Sequence, residues 1–190
     1  METDIAIKEK STRTATKRAS SSSNSNNLNN MKTNKADIGI KEKDTQAVAV
    51  ILNKLLADEH IVYVKIRNAH WNVEGPDFHS QHLFFEGLYN EWAETIDEIA
   101  ERVRALGHYA VGTMKEFLEL TQLTEMRYNK NDSLGFIKEL LSDIEAVIVY
   151  VREQLEAVSE KHDDAGTEDF LVGLMAAHEK TAWMLRAHLR

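Results

Sequence analysis

Apolar residues recur at intervals of three and four along four stretches of this chain, the spacing of helices that each bury one face. The first stretch puts Val48, Leu52, Leu55, Leu56, Val62, Tyr63 and Ile66 on one stripe. It predicts a helix from Asp44 or Thr45, both good N-cap types, to about Asn72, where Gly75-Pro76 stops it. A second helix is expected from about Phe78 to Leu106, with Gly107 as its C′ residue. A third should run from about Ser133 to Lys161, capped by Asp132 or Ser133, and a fourth from Gly166 or Thr167 to His188. The link from Gly107 to Asp132 is long for a helical bundle, where roughly two to eight residues are usual. Within it, Thr113-Met-Lys-Glu-Phe-Leu-Glu-Leu120 predicts a short capped helix with Phe117 and Leu118 facing inward. The expected fold is all-α: four long helices, with a short extra helix in the second-to-third connection.

The third helix carries one irregularity. Ile137, Leu140, Leu141, Val147, Ile148, Val151 and Leu155 lie within about 60° of Ile144 on the helical wheel, so Ile144 completes the core stripe. Val149 and Tyr150 fall on the polar side, with Glu139, Glu153 and Glu156. An apolar pair there predicts burial against another subunit or an additional partner.

Charge divides the chain in two. Residues 1–43 hold nine Lys/Arg and five acids, a net of +4, whereas the remaining residues hold fourteen and twenty-six, a net of −12. That segment is poor in apolar residues and contains Ser20-Ser-Ser-Ser-Asn-Ser-Asn-Asn-Leu-Asn-Asn30. It cannot bury enough surface to offset the entropy of ordering, so a disordered basic tail on a bundle spanning 44–190 is expected. The tail also repeats itself: Asp4-Ile-Ala-Ile-Lys-Glu-Lys10 returns as Asp37-Ile-Gly-Ile-Lys-Glu-Lys43, and Met31 is a second candidate start. Lys8, Lys10, Arg13, Lys17, Arg18, Lys32, Lys35, Lys41 and Lys43 could contact a polyanion, with a plain solubilising arm as the alternative. The absence of cysteine excludes disulfides, thiolate metal sites and thiol catalysis. No apolar run approaches the ~18 residues of a membrane span, and the N-terminus has no secretory h-region, so a cytoplasmic location is the expectation.

The candidate chemistry lies between Arg67 and Leu106. His82, Glu86, Asp97 and Glu101 share a stripe roughly 100° wide on the second helix, yet 82 and 101 stand about 28 Å apart along its axis. One ion cannot bind both ends. However, the pairs 82/101 and 86/97 share one midpoint, between Glu91 and Trp92. Two copies packed antiparallel about a two-fold axis there would set His82 and Glu86 of each against Glu101 and Asp97 of the other. His70, at the end of the first helix, could add a second nitrogen. Two imidazoles with several carboxylates suit iron, zinc or manganese better than calcium or magnesium.

The run Asn68-Ala-His-Trp-Asn-Val-Glu-Gly-Pro-Asp-Phe-His-Ser-Gln-His-Leu-Phe-Phe-Glu86, followed by Asp97-Glu-Ile-Ala-Glu-Arg102, closely resembles the Dps family, the DNA-binding proteins from starved cells. The resemblance covers roughly Asp44 to Leu189. It implies a ferritin-like bundle assembled as a homo-dodecamer of two-fold dimers that oxidises and stores iron. It further implies that His70, His82 and Glu86 of one chain join Asp97 and Glu101 of its mate in a ferroxidase site, with Trp71 beside the iron. The family often has Asp where this chain has Glu86, which keeps the carboxylate on a longer arm.

The resemblance implies ferrous iron and hydrogen peroxide as substrates. Glu94, Glu98 and Asp169 are candidates to line an acidic interior, and Asp164, Glu168 and Asp169 an entry pore, although acids at a helix start also suit its macrodipole. A ferritin with a site inside each bundle would need Glu-x-x-His, and no Glu here is followed by His three residues later. Two further readings stand beside the iron cage. One is a nucleoid-type protein binding DNA through its tails with little catalytic role; the other is a metal-free helical scaffold.

Overall fold

The computed structural model describes residues 35–126 and 130–190. They form α1 (Glu42–Asn72), α2 (Phe78–Ala105), the short α3 (Met114–Leu120), α4 (Ser133–Glu156) and α5 (Ala165–His188). The architecture is an all-α ferritin-like bundle, with α3 inside the α2–α4 crossover. Val48, Leu52, Leu55, Leu56, Val62 and Ile66 of α1 are all buried, against Phe85, Leu88, Trp92, Ile99 and Val103 of α2 and the stripe around Ile144 of α4. Gly107 ends α2 at φ +87°, a left-handed conformation that glycine adopts without a Cβ clash.

The helix ends differ in detail from expectation. α1 begins at Glu42, because Asp44 does not cap it; its Oδ1 accepts instead from His162 Nδ1 at 3.1 Å. That hydrogen bond holds the Asp44 carboxyl below the usual carboxylate range. α4 does not run to Lys161 as an α-helix: Ala157–Lys161 is a single π turn. The wider turn accompanies burial of Val158 in the core and of His162 against Asp44 at the start of α1.

The long crossover is tied down by polar side chains buried on α1. Asn53 Oδ1 accepts from the Val111 backbone N–H at 2.8 Å. Asp58 Oδ1 accepts from Thr121 Oγ1 at 2.6 Å and from the Gln122 N–H at 2.8 Å. Between these anchors α3 starts with the capping box that the sequence predicts, Thr113 reciprocating with Glu116. Phe117 is buried and stacks on His60 at 3.7 Å. Leu118 does not face inward: it is 52% exposed, since a seven-residue helix lying on α1 buries only one side.

The apolar pair on α4 separates. Ile144 is fully buried in the core, as its wheel position requires. Tyr150, expected at a contact with another molecule, is buried by its own chain: its hydroxyl donates to the Ile51 carbonyl at 3.2 Å and Lys54 Nζ sits 3.7 Å from its ring centre. A long side chain at the edge of the core stripe can fold back onto the neighbouring helix, and this burial raises the phenol's pKa. Val149 alone stays on the surface, 55% exposed.

One buried imidazole, His108, and one half-buried, His60, predict the acid response. Thr45 Oγ1 donates to the Glu42 carbonyl, so it must accept from His108 Nε2 at 2.9 Å, leaving His108 Nδ1 a buried acceptor with no partner among the described residues. Burial pushes both His108 and His60 below the ordinary value near 6.5. The unfolded chain takes up these protons first as pH falls, so their contribution is complete above 6.5 and is lost on going down towards the folded-state values. Thermal melting should therefore drop from pH 7.5 to 5.5, with a shallower slope in His108→Gln. An equal slope in both proteins would exclude His108 as a source.

Candidate metal centre

The α1–α2 turn brings His70 and His82 together, twelve positions apart in sequence. Their rings stack at 3.8 Å with a 25° interplanar angle. Each Nδ1 lies 2.9 Å from the other residue's backbone carbonyl. A carbonyl only accepts, so both Nδ1 atoms carry the proton, and in the neutral imidazoles both Nε2 atoms keep a lone pair. Fixing the tautomer through the far nitrogen is the usual device for orienting a metal-ligating histidine. Both residues are half-buried, and Glu86, one turn further along α2, is half-buried beside them.

Asp97 and Glu101 are exposed on the far half of the same helix. Among the described residues of one chain, no three His, Asp or Glu side chains converge to hold a metal ion. One chain therefore supplies an incomplete set: two imidazoles and a carboxylate at one end of α2, and two carboxylates at the other. Around the histidines lies an aromatic rim, with Phe78 tilted against His82 at 5.2 Å and Tyr89 edge-on to His70 at 5.1 Å. Trp71 is 63% exposed, and Phe78 and Leu83 are also exposed.

The other candidates fall in different places. Glu94, Glu98 and Asp169 are exposed, and Glu168 is half-buried. Asp164 is engaged within its own chain. It is buried, its Oδ1 caps α5 through the Thr167 N–H at 3.0 Å, and it pairs with Arg102 Nη2 at 2.9 Å. The helix-capping alternative therefore accounts for this residue. Of the tail cations, Lys35, Lys41 and Lys43 are exposed, while Lys8, Lys10, Arg13, Lys17, Arg18 and Lys32 lie outside the described residues.

Sequence reasoning missed a polar cluster inside the bundle. His178 Nε2 on α5 donates to Glu59 Oε1 on α1 at 2.7 Å, and both side chains are buried. Trp92 of α2 stacks flat on His178, with ring centres 4.7 Å apart. A buried lysine, Lys65, pairs with Glu139 and Asp143 of α4. One signal was present: Glu59 sits on the same three-and-four spacing as Leu52, Leu55, Val62 and Ile66, a charge on a core stripe.

Residues 50–190 match the ferritin-like domain model. DNA protection during starvation protein 2 of Bacillus anthracis is 42% identical over 142 residues, covering 75% of this chain and 96% of that protein. The crystal structure of a Dps protein from Bacillus brevis aligns with TM-score 0.74 at 34% identity, over 80% of this chain and all of that one. The Vibrio cholerae Dps protein, described as a member of a broad superfamily of ferritin-like diiron-carboxylate proteins, aligns with TM-score 0.78 at 28% identity. It covers 84% of this chain and 99% of its own.

Proposed function

This chain belongs to the Dps family of ferritin-like proteins, and from that premise we propose that it is an iron-oxidising, iron-storing cage. The observation that carries the reading is the stacked His70–His82 pair, tautomer-locked with both Nε2 lone pairs free beside Glu86. The partner subunit's Asp97 and Glu101, brought up by the two-fold through the middle of α2, complete the donor set. Two ferrous ions bind there as substrate. Each gives one electron to hydrogen peroxide, whose O–O bond breaks to leave two hydroxides that take up protons as water or pass into the ferric product, and the ferric iron moves to the acidic interior.

The residues have distinct tasks. The imidazoles supply neutral, softer donors that accept ferrous iron, and the carboxylates stabilise the charge gained on oxidation. Trp71, next to His70 in sequence, stands beside the iron in this reading. Glu94, Glu98 and Asp169 attract cations inside the shell, and Glu168 with Asp169 are the remaining carboxylates for an entry pore. The exposed apolar rim of Trp71, Phe78 and Leu83 fits burial between two subunits of a dodecamer.

The test is an anaerobic ferrous titration followed by peroxide, on the wild-type particle and on His70→Ala, His82→Ala. Wild type should develop ferric absorbance with two ferrous ions consumed per peroxide, and the variant should fall to near the protein-free rate at unchanged particle mass. Equal rates would remove the site.

DNA binding is a second reading, supported by the +4 charge of residues 1–43 on a −12 body and by the relative's role in DNA protection. Twelve weak tails on one particle would act together through avidity. Removing residues 1–43 should leave assembly and iron oxidation intact and weaken salt-dependent gel retardation, with the chain starting at Met31 in between. Equal retardation of truncated and full-length protein at matched salt would exclude the tail. Among the described residues no helix is long and apolar enough to cross a membrane.

A further inference from the structure

Arg67 stands one helical turn before His70 on α1. Its guanidinium carbon lies 4.3 Å from the ring centre of Tyr89, 5.0 Å from Trp71 and 5.9 Å from Tyr63. Tyr89 in turn touches His70, with ring centres 5.1 Å apart. The guanidinium is therefore no farther from the His70 imidazole than those two separations laid end to end, about one screening length (~8–10 Å) at physiological salt. Among the described residues no ion pair or hydrogen bond engages it. Its own chain holds it by aromatic faces, a placement that suits a planar guanidinium better than an ammonium.

A permanent positive charge beside a cation site needs an explanation. The empty site gathers Glu86 with the partner subunit's Asp97 and the partner subunit's Glu101, three like charges that repel each other. Arg67 offsets that repulsion. Once two ferrous ions are bound the sign of its effect reverses, and after oxidation each iron carries one more positive charge.

We propose that Arg67 is a positioning residue for the iron site: it steadies the converging carboxylates while the site is empty and weakens retention of bound cations, most strongly of oxidised iron. This inference rests on the inter-subunit site proposed above. Arg67 thereby favours passage of iron through the site over storage in it.

The experiment measures zinc and cobalt(II) affinity, both redox-inert here, on assembled full-length wild type, Arg67→Gln, Arg67→Lys and His70→Ala, His82→Ala. Removing one charge at this distance should tighten binding about 3- to 10-fold per divalent cation. Arg67→Gln should show that gain, and Arg67→Lys should stay near wild type. With iron and peroxide, Arg67→Gln should lower KM and kcat together, the signature of a product held too tightly. A packing role would instead make Gln and Lys behave alike, and that result overturns the inference. So does unchanged or weaker binding by an Arg67→Gln particle of normal mass and helicity. Where Arg67→Gln fails to assemble, Arg67→Met removes the same charge on a flexible stem that still packs against the rings and should tighten binding in the same direction; no tightening overturns the proposal. Wild-type affinity retained in His70→Ala, His82→Ala overturns both this inference and the site beneath it. Loss of binding there with no gain in Arg67→Gln overturns the role of Arg67 alone.

Discussion

A chain carrying His82→Ala and Glu86→Ala, and another carrying Asp97→Ala and Glu101→Ala, should each oxidise ferrous iron no faster than background, yet regain activity when co-assembled. The reason is positional. His82 and Glu86 lie on one half of α2 and Asp97 and Glu101 on the other, about 28 Å apart at the extremes, so no single chain builds the site. In a mixed two-fold pair, one site is composed wholly of unmutated residues and the other contains all the substitutions. Random pairing of equal amounts makes about half of the dimers mixed, so about a quarter of the wild-type sites should return. Peroxide-driven ferric absorbance per assembled particle reads this directly. A mixture that assembles normally and stays as inactive as its parents would refute the two-fold arrangement, whatever the histidines do alone.

The largest stability effect should come from the middle of the bundle. His178→Phe keeps an aromatic ring against Trp92 but removes the donor to Glu59, a carboxylate with no exposure. Among the described residues Glu59 Oε2 has no hydrogen-bond partner, so the substitution removes the one direct partner seen there for a buried carboxylate. Breaking a buried pair in this way costs about 3–5 kcal/mol, and melting should fall by roughly 10 °C for a chain of this size. Adding Glu59→Leu should restore most of the loss, because an apolar pair of similar volume pays no desolvation cost. Melting of the single and double variants at equal protein concentration provides the check. If the double variant melts as low as the single one, packing rather than charge burial sets the cost. Iron oxidation per assembled particle should be the same in all three proteins, since this cluster lies outside the proposed site.

The same contrast separates what residue order determines from what packing determines. The long helices are legible because their apolar residues repeat every three or four positions, and that period depends only on backbone geometry. The crossover helix is legible for an equally local reason: Thr113 and Glu116 cap it within one turn. The site residues are legible in part. Their types, their shared stripe and the common midpoint of 82/101 and 86/97 can be read from the chain, and the family motif agrees with them.

Other features depend on which helix lies opposite, and no local rule encodes that. Periodicity placed Tyr150 off the core stripe, but Ile51 and Lys54 of α1 were within reach, and the ring folded onto them. Asp164 had two readings, a pore or an acid favoured by the helix macrodipole, and only the folded chain shows it capping α5 and pairing with Arg102 of α2. Glu59 and Lys65 were visible as charges on or near a core stripe, whereas their partners stand on α5 and α4, 74 to 119 positions away. The locked tautomers of His70 and His82 need the two backbones to pass within hydrogen-bonding distance. Backbone period and capping act over a few residues and survive in sequence; the pairing of buried charges and the aim of ring nitrogens arise only when distant helices share one core.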